Sequence, residues 1–102
     1  MILAQVMGTV VSTRKDAGLL GLKLLLVREV DGQFKPTGAF VVAADAVGAG
    51  SDELVLVAQG SSARMTEVSR EKPVDAVIVG IVDAVEIDGK DVYLKRSGAV
   101  KP

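Results

Sequence analysis

Ser61, Ser62 and Arg64 form the cluster of residues in this sequence with the clearest chemical potential. The serines follow Gly60 after an apolar segment, where a short helix can begin, and free backbone N–H groups at a helix start bind anions. Arg64 carries a planar guanidinium that suits bidentate contact with a carboxylate or phosphate. A bound phosphate or sulfate is one interpretation. The interpretation that we favour is a serine N-cap together with an ion pair made by Arg64 across a subunit interface.

The glycine-rich stretch Gly48-Ala49-Gly50 begins like a dinucleotide-binding fingerprint. Position 53 is Glu53 rather than a third glycine, and the pattern that follows predicts a strand instead of a helix, so the fingerprint fails. No phosphate-binding loop occurs either, because no glycine-rich loop in the sequence ends in Gly-Lys-Ser or Gly-Lys-Thr. We therefore expect no cofactor.

The carboxylates do not form a catalytic pair. Asp52 and Glu53 are adjacent, so in extended backbone they point to opposite faces, and we expect both to be solvated. Asp83 lies in an apolar run, where a carboxylate needs hydrogen bonds or a cation; we expect a paired aspartate at the barrel end or a subunit contact. The sequence contains no cysteine and no histidine, which removes thiolate chemistry and the usual general base and zinc ligand. We expect neither an enzyme nor a metal site.

Charge and hydropathy narrow the possible partners. Twelve basic and thirteen acidic residues give a net charge of −1, which offers no electrostatic attraction to nucleic acid or to an anionic membrane. The N-terminal residues lack the cationic region of a signal peptide, and no apolar run approaches the ~18 residues that cross a bilayer. We therefore expect a cytoplasmic protein that binds no nucleic acid and no membrane.

Apolar periodicity and turn residues predict strands throughout the chain, with one short helix after Gly60 that ends by Pro73. In the second strand we expect Leu22, Leu24 and Leu26 to point inward. The turn Asp88-Gly89 predicts a tight hairpin near the C-terminal end. The predicted strands span Ile2–Thr13, Leu22–Val30, Ala39–Ala44, Leu54–Gln59, Val74–Ile87 and Val92–Leu94.

The fourth strand is the feature around which the chain is organised. Leu54-Val55-Leu56-Val57-Ala58 is an unbroken apolar run, although a strand in a small open sheet should alternate. Either this strand lies deep in the fold, or another copy of the chain covers its second face. A chain of 102 residues buries only about 64 % of its surface on folding, and 49 % of its residues are hydrophobic. We therefore favour the second copy and expect an oligomer.

The order of elements predicts the fold class. Several strands, one short helix and then further strands suit an all-β protein, a small closed five-stranded barrel of the OB-like kind. Closure also removes sheet edges that so aliphatic a protein would otherwise expose to aggregation. We expect residues 1–95 to form this barrel domain and residues 96–102 a C-terminal tail.

The sequence resembles the pentameric vertex proteins of bacterial microcompartment shells, of the ethanolamine-utilisation and carboxysome kind. The resemblance covers roughly residues 1 to 95, and its motifs occur in the family's order. Those motifs are Thr13-Arg14-Lys15, Gly21-Leu22-Lys23-Leu24-Leu25, Gly48-Ala49-Gly50 before Glu53-Leu54-Val55-Leu56, Gly60-Ser61-Ser62-Ala63-Arg64, and Pro73-Val74-Asp75 leading to Ile81-Val82-Asp83.

The resemblance implies a cyclic homopentamer that caps the vertices of a polyhedral shell whose facets are tiled by hexameric shell proteins. It also implies that five residues lie at the subunit interface or the fivefold axis: Gly48, Gly50, Ser61, Ser62 and Arg64. The alternative is an OB-like module that binds single-stranded nucleic acid. Three aromatic residues and a slightly negative charge make that alternative weaker, because such modules stack bases on aromatics along a basic groove.

Overall fold

The computed structural model describes residues 1–95, which contain seven β-strands and two short 3₁₀ segments. The tail expected at residues 96–102 lies outside the described residues. The strands are β1 (Ile2–Val10), β2 (Leu24–Val30), β3 (Pro36–Asp45), β4 (Leu54–Gln59), β5 (Ala76–Ile81), β6 (Ala84–Ile87) and β7 (Lys90–Leu94). The 3₁₀ segments are Ala17–Leu19 and Gly60–Met65. No helix within residues 1–95 is long and apolar enough to cross a membrane.

Five strands form a closed barrel in the order β1-β2-β3-β5-β4, and β6 pairs with β7 in a separate two-stranded sheet. Neighbouring barrel strands are antiparallel except β3 and β5, which run parallel through only two residue pairs, Ala44 with Val77 and Asp45 with Ile78. Pairing of β1 with β4 closes the ring of strands. The predicted fold class, a closed five-stranded all-β barrel with one short helical element after β4, is therefore confirmed.

The barrel interior is filled by small and branched aliphatic side chains. They include Ala4 and Val6 of β1, which the alternation in the sequence places on the same face, and Ile78 of β5. The inward face of β2 was predicted wrongly, because Leu25 and Val27 enter this core while Leu24 and Leu26 are half-buried. The cause is that β2 begins at Leu24. Lys23 lies in the preceding loop, so its exposure carries no information about the phase of the strand.

The chain itself covers the inward face of β4 and both ends of its outward face, leaving only Leu56 half-buried, so the expectation that a second copy must cover the second face of the strand is wrong. The outward side of Leu54 packs with Val30, Phe34 and Tyr93, and Tyr93 belongs to the β6–β7 hairpin. At the other end of the strand, Ala58 packs with Ala63 of the 3₁₀ segment. The strand is largely buried within its own chain, because the β6–β7 hairpin and the 3₁₀ segment fold over it. This is the first of the two alternatives, in which the strand lies deep in the fold.

The long strand predicted over Val74–Ile87 is divided into β5 and β6. β5 ends at Ile81. The next residue, Val82, still donates its N–H to the Leu54 carbonyl at 2.9 Å before the chain leaves the barrel. The hairpin turn is confirmed: Asp88 and Gly89 have φ of 53° and 77°, the two positive values that a type I′ turn requires. The first strand ends at Val10, three residues before the end predicted for it at Thr13.

Candidate assembly surfaces

The loop between β3 and β4 is held by the carboxylate of Asp45. Its Oδ1 accepts the N–H groups of Val47 and Gly48, each at 3.0 Å, and its Oδ2 accepts that of Ala49 at 3.0 Å. Ala49 is buried in the main core, so the loop seals the barrel. Gly48 is exposed and has φ of 79°, and a Cβ placed on it would meet nothing within 4 Å. Within the chain, Gly48 is therefore required by backbone conformation and not by a close approach.

Gly50 belongs to a small polar network around Glu53. The Gly50 N–H donates to Glu53 Oε1 at 2.5 Å, and Lys95 Nζ lies 2.7 Å from Glu53 Oε2. The hydrogen bond from Lys95 holds the pKa of Glu53 below its ordinary value, and the hydrogen bond from the Gly50 N–H lowers it further. Burial of the carboxylate raises the pKa, but by less. The same contact raises the pKa of Lys95. This network ties the end of the hairpin to the loop before β4.

Ser61, Ser62 and Arg64 lie on the 3₁₀ segment Gly60–Met65, and all three are exposed. The predicted serine N-cap is wrong, because the segment is preceded by Gln59 and has no side-chain cap. The Ser62 hydroxyl instead donates to the Gln59 carbonyl at 2.7 Å. Arg64 Nη1 donates to the Val74 carbonyl at 3.2 Å, which joins the segment to the residues before β5. The ion pair of Arg64 across an interface stays a prediction.

The structure separates the two halves of the predicted site. The loop with Gly48 and Gly50 leads into β4, whereas Ser61 and Arg64 come after it, and the six residues of β4 rise by roughly 17–20 Å. Within residues 1–95, no hydrogen bond or ion pair joins the two groups. If both halves serve one interface, that interface extends along the whole of β4.

Ser69 is a residue whose importance the sequence did not reveal. It is the buried polar residue of the described chain, and its hydroxyl donates to the Ala63 carbonyl. Its own N–H donates to Thr66 Oγ1 at 3.0 Å. Ser69 therefore fixes the end of the 3₁₀ segment on which Arg64 lies. The Thr66-x-x-Ser69 spacing is the available signal, because serine and threonine three residues apart commonly bond to each other's backbone.

No group of three or more acidic or metal-ligating side chains within residues 1–95 could hold a metal ion. Asp83, expected to be paired, has an exposed side chain, and it is its backbone carbonyl that accepts the Lys95 N–H at 2.9 Å. What the surface does offer is apolar: Met7, Phe40 and Val42 on the barrel are exposed, as are Ile87 and Val92 on the hairpin.

A closed five-stranded barrel with exposed apolar patches defines a small β-barrel protein suited to association with other chains. The chain belongs to the family described as "Ethanolamine utilisation protein EutN/carboxysome", whose sequence model matches residues 1–83. The resemblance read from the sequence is therefore confirmed.

Relatives of known role cover nearly the whole chain. The carboxysome shell vertex protein CcmL of Gloeobacter violaceus is 45 % identical over 96 residues, which are 94 % of this chain and 96 % of CcmL. Its solved structure superposes with a TM-score of 0.90, covering 94 % of this chain and 99 % of that one. The microcompartment shell vertex protein EutN of Salmonella typhimurium is 46 % identical over 95 residues, 93 % of this chain and 96 % of EutN.

A third relative has a known oligomeric state. The pentameric microcompartment shell protein GrpN of Rhodospirillum rubrum has a TM-score of 0.77 to this chain at 47 % identity, covering 85 % of this chain and 98 % of its own. Members of the family are thus shell vertex proteins, and at least one of them is a pentamer.

Proposed function

We propose that five copies of this chain close into a ring that occupies the vertices of a polyhedral bacterial microcompartment shell. The observation that carries the proposal is identity of 45 % or more over most of the chain to shell vertex proteins, together with a TM-score of 0.77 to a pentameric one. A protein with this role lies in the shell of a microcompartment within the bacterial cytoplasm.

The geometry of a closed shell explains why such rings are needed. A layer of hexagons stays flat, and pentagons at the corners introduce the curvature that closes it. We propose that the partners of the ring are therefore hexameric shell proteins along the facets. Within the ring, each copy must present one surface to its neighbour and a different surface to the copy on its other side.

Five residues have proposed roles at the interface between copies or at the fivefold axis. They are Gly48, Gly50, Ser61, Ser62 and Arg64, and all are exposed in the single chain. Exposure leaves the guanidinium of Arg64 accessible to a carboxylate of a neighbouring copy, and the two glycines allow backbones to approach closely. Residues 1–95 would supply the vertex barrel and residues 96–102 a tail appended to it.

The role is structural and involves no catalysis by this chain. It is supported by the names of the relatives, which are shell vertex proteins. The alternative of single-stranded nucleic-acid binding loses support, because such binding needs aromatic rings on the surface. Phe34 and Tyr93 are buried against each other with ring centroids 5.9 Å apart, which leaves Phe40 as the exposed aromatic residue.

Native mass spectrometry of the purified full-length chain tests the proposal. The expected result is a dominant species near five times 10.6 kDa that persists on dilution to low micromolar concentration. A dominant monomer or dimer under the same conditions would contradict the ring. Fluorescence titration with labelled single-stranded DNA at low salt tests the alternative, and salt-sensitive binding there would restore it.

A further inference from the structure

The outer side of β1, β2 and β3 carries an apolar patch that the chain leaves uncovered, and we call it the three-strand face: Met7, Leu26, Phe40 and Val42. Register places Gly8 beside Leu26 and Leu26 beside Val42, so the patch crosses all three strands. Phe40 is 59 % exposed and Val42 47 %. A Cβ built on Gly8 would meet nothing within 4 Å, so another backbone can approach the patch closely.

The same part of β3 also has an open backbone edge. The Asp45 N–H donates to the Lys23 carbonyl, and antiparallel pairing alternates along a strand, so Ala43 and Val41 also bond to β2. The residues between them, Phe40 and Val42, therefore direct their N–H and C=O groups away from β2. Pairing of β3 with β5 involves only Ala44 and Asp45. An exposed apolar strand with unpaired backbone groups is a template for association.

A second uncovered surface lies on the hairpin, and we call it the hairpin face: the apolar Ala84 and Val92, flanked by the carboxylates Glu86 and Asp91. Tyr93 pairs with Val85, and both pack toward the barrel. Because side chains alternate along a strand, Ala84 and Glu86 point the opposite way from Val85. Val92, the extra residue of a bulge beside Tyr93, also points away from the barrel. The barrel covers the side of the hairpin that carries Tyr93, whereas Val92 on the other side is exposed within residues 1–95.

Charge distinguishes the two surfaces. Arg28 lies beside Phe40 on the three-strand face, half-buried, with Nε and Nη2 donating to Gln5 Oε1 at 3.1 and 2.8 Å. No carboxylate in residues 1–95 lies within ion-pair distance of this guanidinium. The hairpin carries the opposite sign, with three carboxylates (Glu86, Asp88, Asp91) against one ammonium, Lys90. A guanidinium with spare donors favours a carboxylate partner across an interface.

We infer that the hairpin face of one copy docks on the three-strand face of the next copy, with Arg28 receiving a carboxylate of the neighbour's hairpin. This inference rests on the proposed ring and identifies two surfaces that meet between its copies. A cyclic assembly needs two different, complementary patches on each copy, and these two are apolar, uncovered and of complementary charge. The three-strand face would gain both apolar cover and a partner for its open edge.

Cysteine cross-linking tests the contact, because the natural chain contains no cysteine. Val42→Cys and Val92→Cys chains are co-expressed, purified and treated with a short bismaleimide, then separated on a denaturing gel. A covalent dimer is expected from the co-expressed pair, and little or none from either variant alone, since a heterologous ring never brings two copies of the same patch together. Phe40→Cys with Ala84→Cys provides a second pair should either first variant fold poorly.

Leu20→Cys supplies the matched control, because Leu20 is 62 % exposed but belongs to neither face. Co-expressed with Val92→Cys, it should yield no dimer. In addition, Arg28→Glu should raise the concentration at which the ring dissociates by at least about tenfold, whereas Lys35→Glu should leave it unchanged. A wild-type pentamer whose two cysteine pairs both fail to cross-link overturns the inference and leaves the proposed function standing. A wild-type monomer overturns both.

Discussion

Glu53 and Lys95 are joined by an ion pair of 2.7 Å between Oε2 and Nζ, and this contact links two parts of the chain that the barrel does not connect. Glu53 directly precedes β4 and bonds the Gly50 N–H, while Lys95 directly follows β7. The hairpin is therefore attached to the barrel at its base by charge and through Tyr93 by apolar packing. Any surface that the hairpin presents to a neighbour depends on these attachments.

The stability of the fold should decrease in acid partly through this ion pair. The pKa of Glu53 is depressed in the folded state, so its stabilising contribution is fully present above the ordinary value of 4.5 and is lost as pH falls through the folded pKa. Lys95→Ala should therefore lower the unfolding free energy at pH 7 and have a smaller effect at about pH 3. Urea denaturation of both proteins at the two pH values measures the difference.

Lys90→Ala is the control for this prediction, because Lys90 is an exposed lysine on the same hairpin without a salt bridge in the described chain. It should have a small effect that does not change between the two pH values. An equal loss of stability for Lys95→Ala at both would show that the lysine acts through packing of its aliphatic stem and not through charge.

The loop between β1 and β2 should tolerate no side chain at Gly18. A Cβ there would lie 2.8 Å from Pro73 Cδ and 2.9 Å from Asp16 Oδ2, and a proline ring cannot rotate away. Gly18→Ala should lower the unfolding free energy by about 1–3 kcal/mol, as overpacking typically does. Gly32→Ala is the matched change, because a Cβ at Gly32 meets nothing within 4 Å and its φ is not positive. That variant should be neutral or slightly stabilising, and an equal loss in both would contradict the close contact.

The hydroxyl of Ser69 should contribute more to stability than any other serine hydroxyl discussed above. Ser69→Ala leaves the Ala63 carbonyl without its donor in a buried place, which costs about 1–3 kcal/mol. Ser61→Ala, on the exposed part of the same 3₁₀ segment, should change the unfolding free energy by no more than about 0.5 kcal/mol. Chemical denaturation compares them directly, and equal effects would remove the proposed anchoring of the segment.

Local signals were sufficient for a large part of this fold. The bounds of β4 follow from an apolar run between two glycine-containing loops, and the hairpin follows from Asp88-Gly89, whose positive φ values few other residue pairs adopt. Closure of the barrel follows from strand number and from the need to hide edges. These features depend on residues that are neighbours in sequence, so the sequence alone contains them.

The errors in burial concern contacts between distant segments, whereas the wrong serine N-cap was a local one. The inward face of β2 depends on its two neighbours in the barrel, because Leu25 and Val27 share the core with Val6 and Ala43. Lys23, which suggested the opposite phase, precedes the strand. The cover of β4 depends on where the hairpin and the 3₁₀ segment fold back. The apolar surplus was consequently assigned to β4, although the structure exposes it on β3 and on the hairpin. The composition of a sequence gives the number of apolar side chains but not their positions in the fold.

Gly48 provides a test that separates a conformational role from a role at the interface. Its φ of 79° costs a residue with a Cβ about 1–2 kcal/mol, so Gly48→Ala should lower the unfolding free energy by that amount. Asparagine tolerates this conformation, so Gly48→Asn should fold with a smaller loss. Native mass spectrometry of the asparagine variant then tests the interface. If the variant still forms intact pentamers, Gly48 is needed only for its turn. If the variant folds well but stays monomeric, Gly48 contributes to the contact between copies.

Leu25 and Leu26, adjacent on β2, should affect two different properties of the protein. Leu25 is 2 % exposed inside the barrel, and Leu25→Ala should cost about 2–5 kcal/mol of unfolding free energy. Leu26 is half-buried on the three-strand face, so Leu26→Ala should cost less in folding but weaken the ring. Urea denaturation at matched protein concentration measures the first effect, because assembly adds to apparent stability, and native mass spectrometry on dilution measures the second. The opposite result would be a ring that resists dilution as well with Leu26→Ala as in the wild type but is weakened by Leu25→Ala. That result would show that the three-strand face does not meet a neighbouring copy through Leu26.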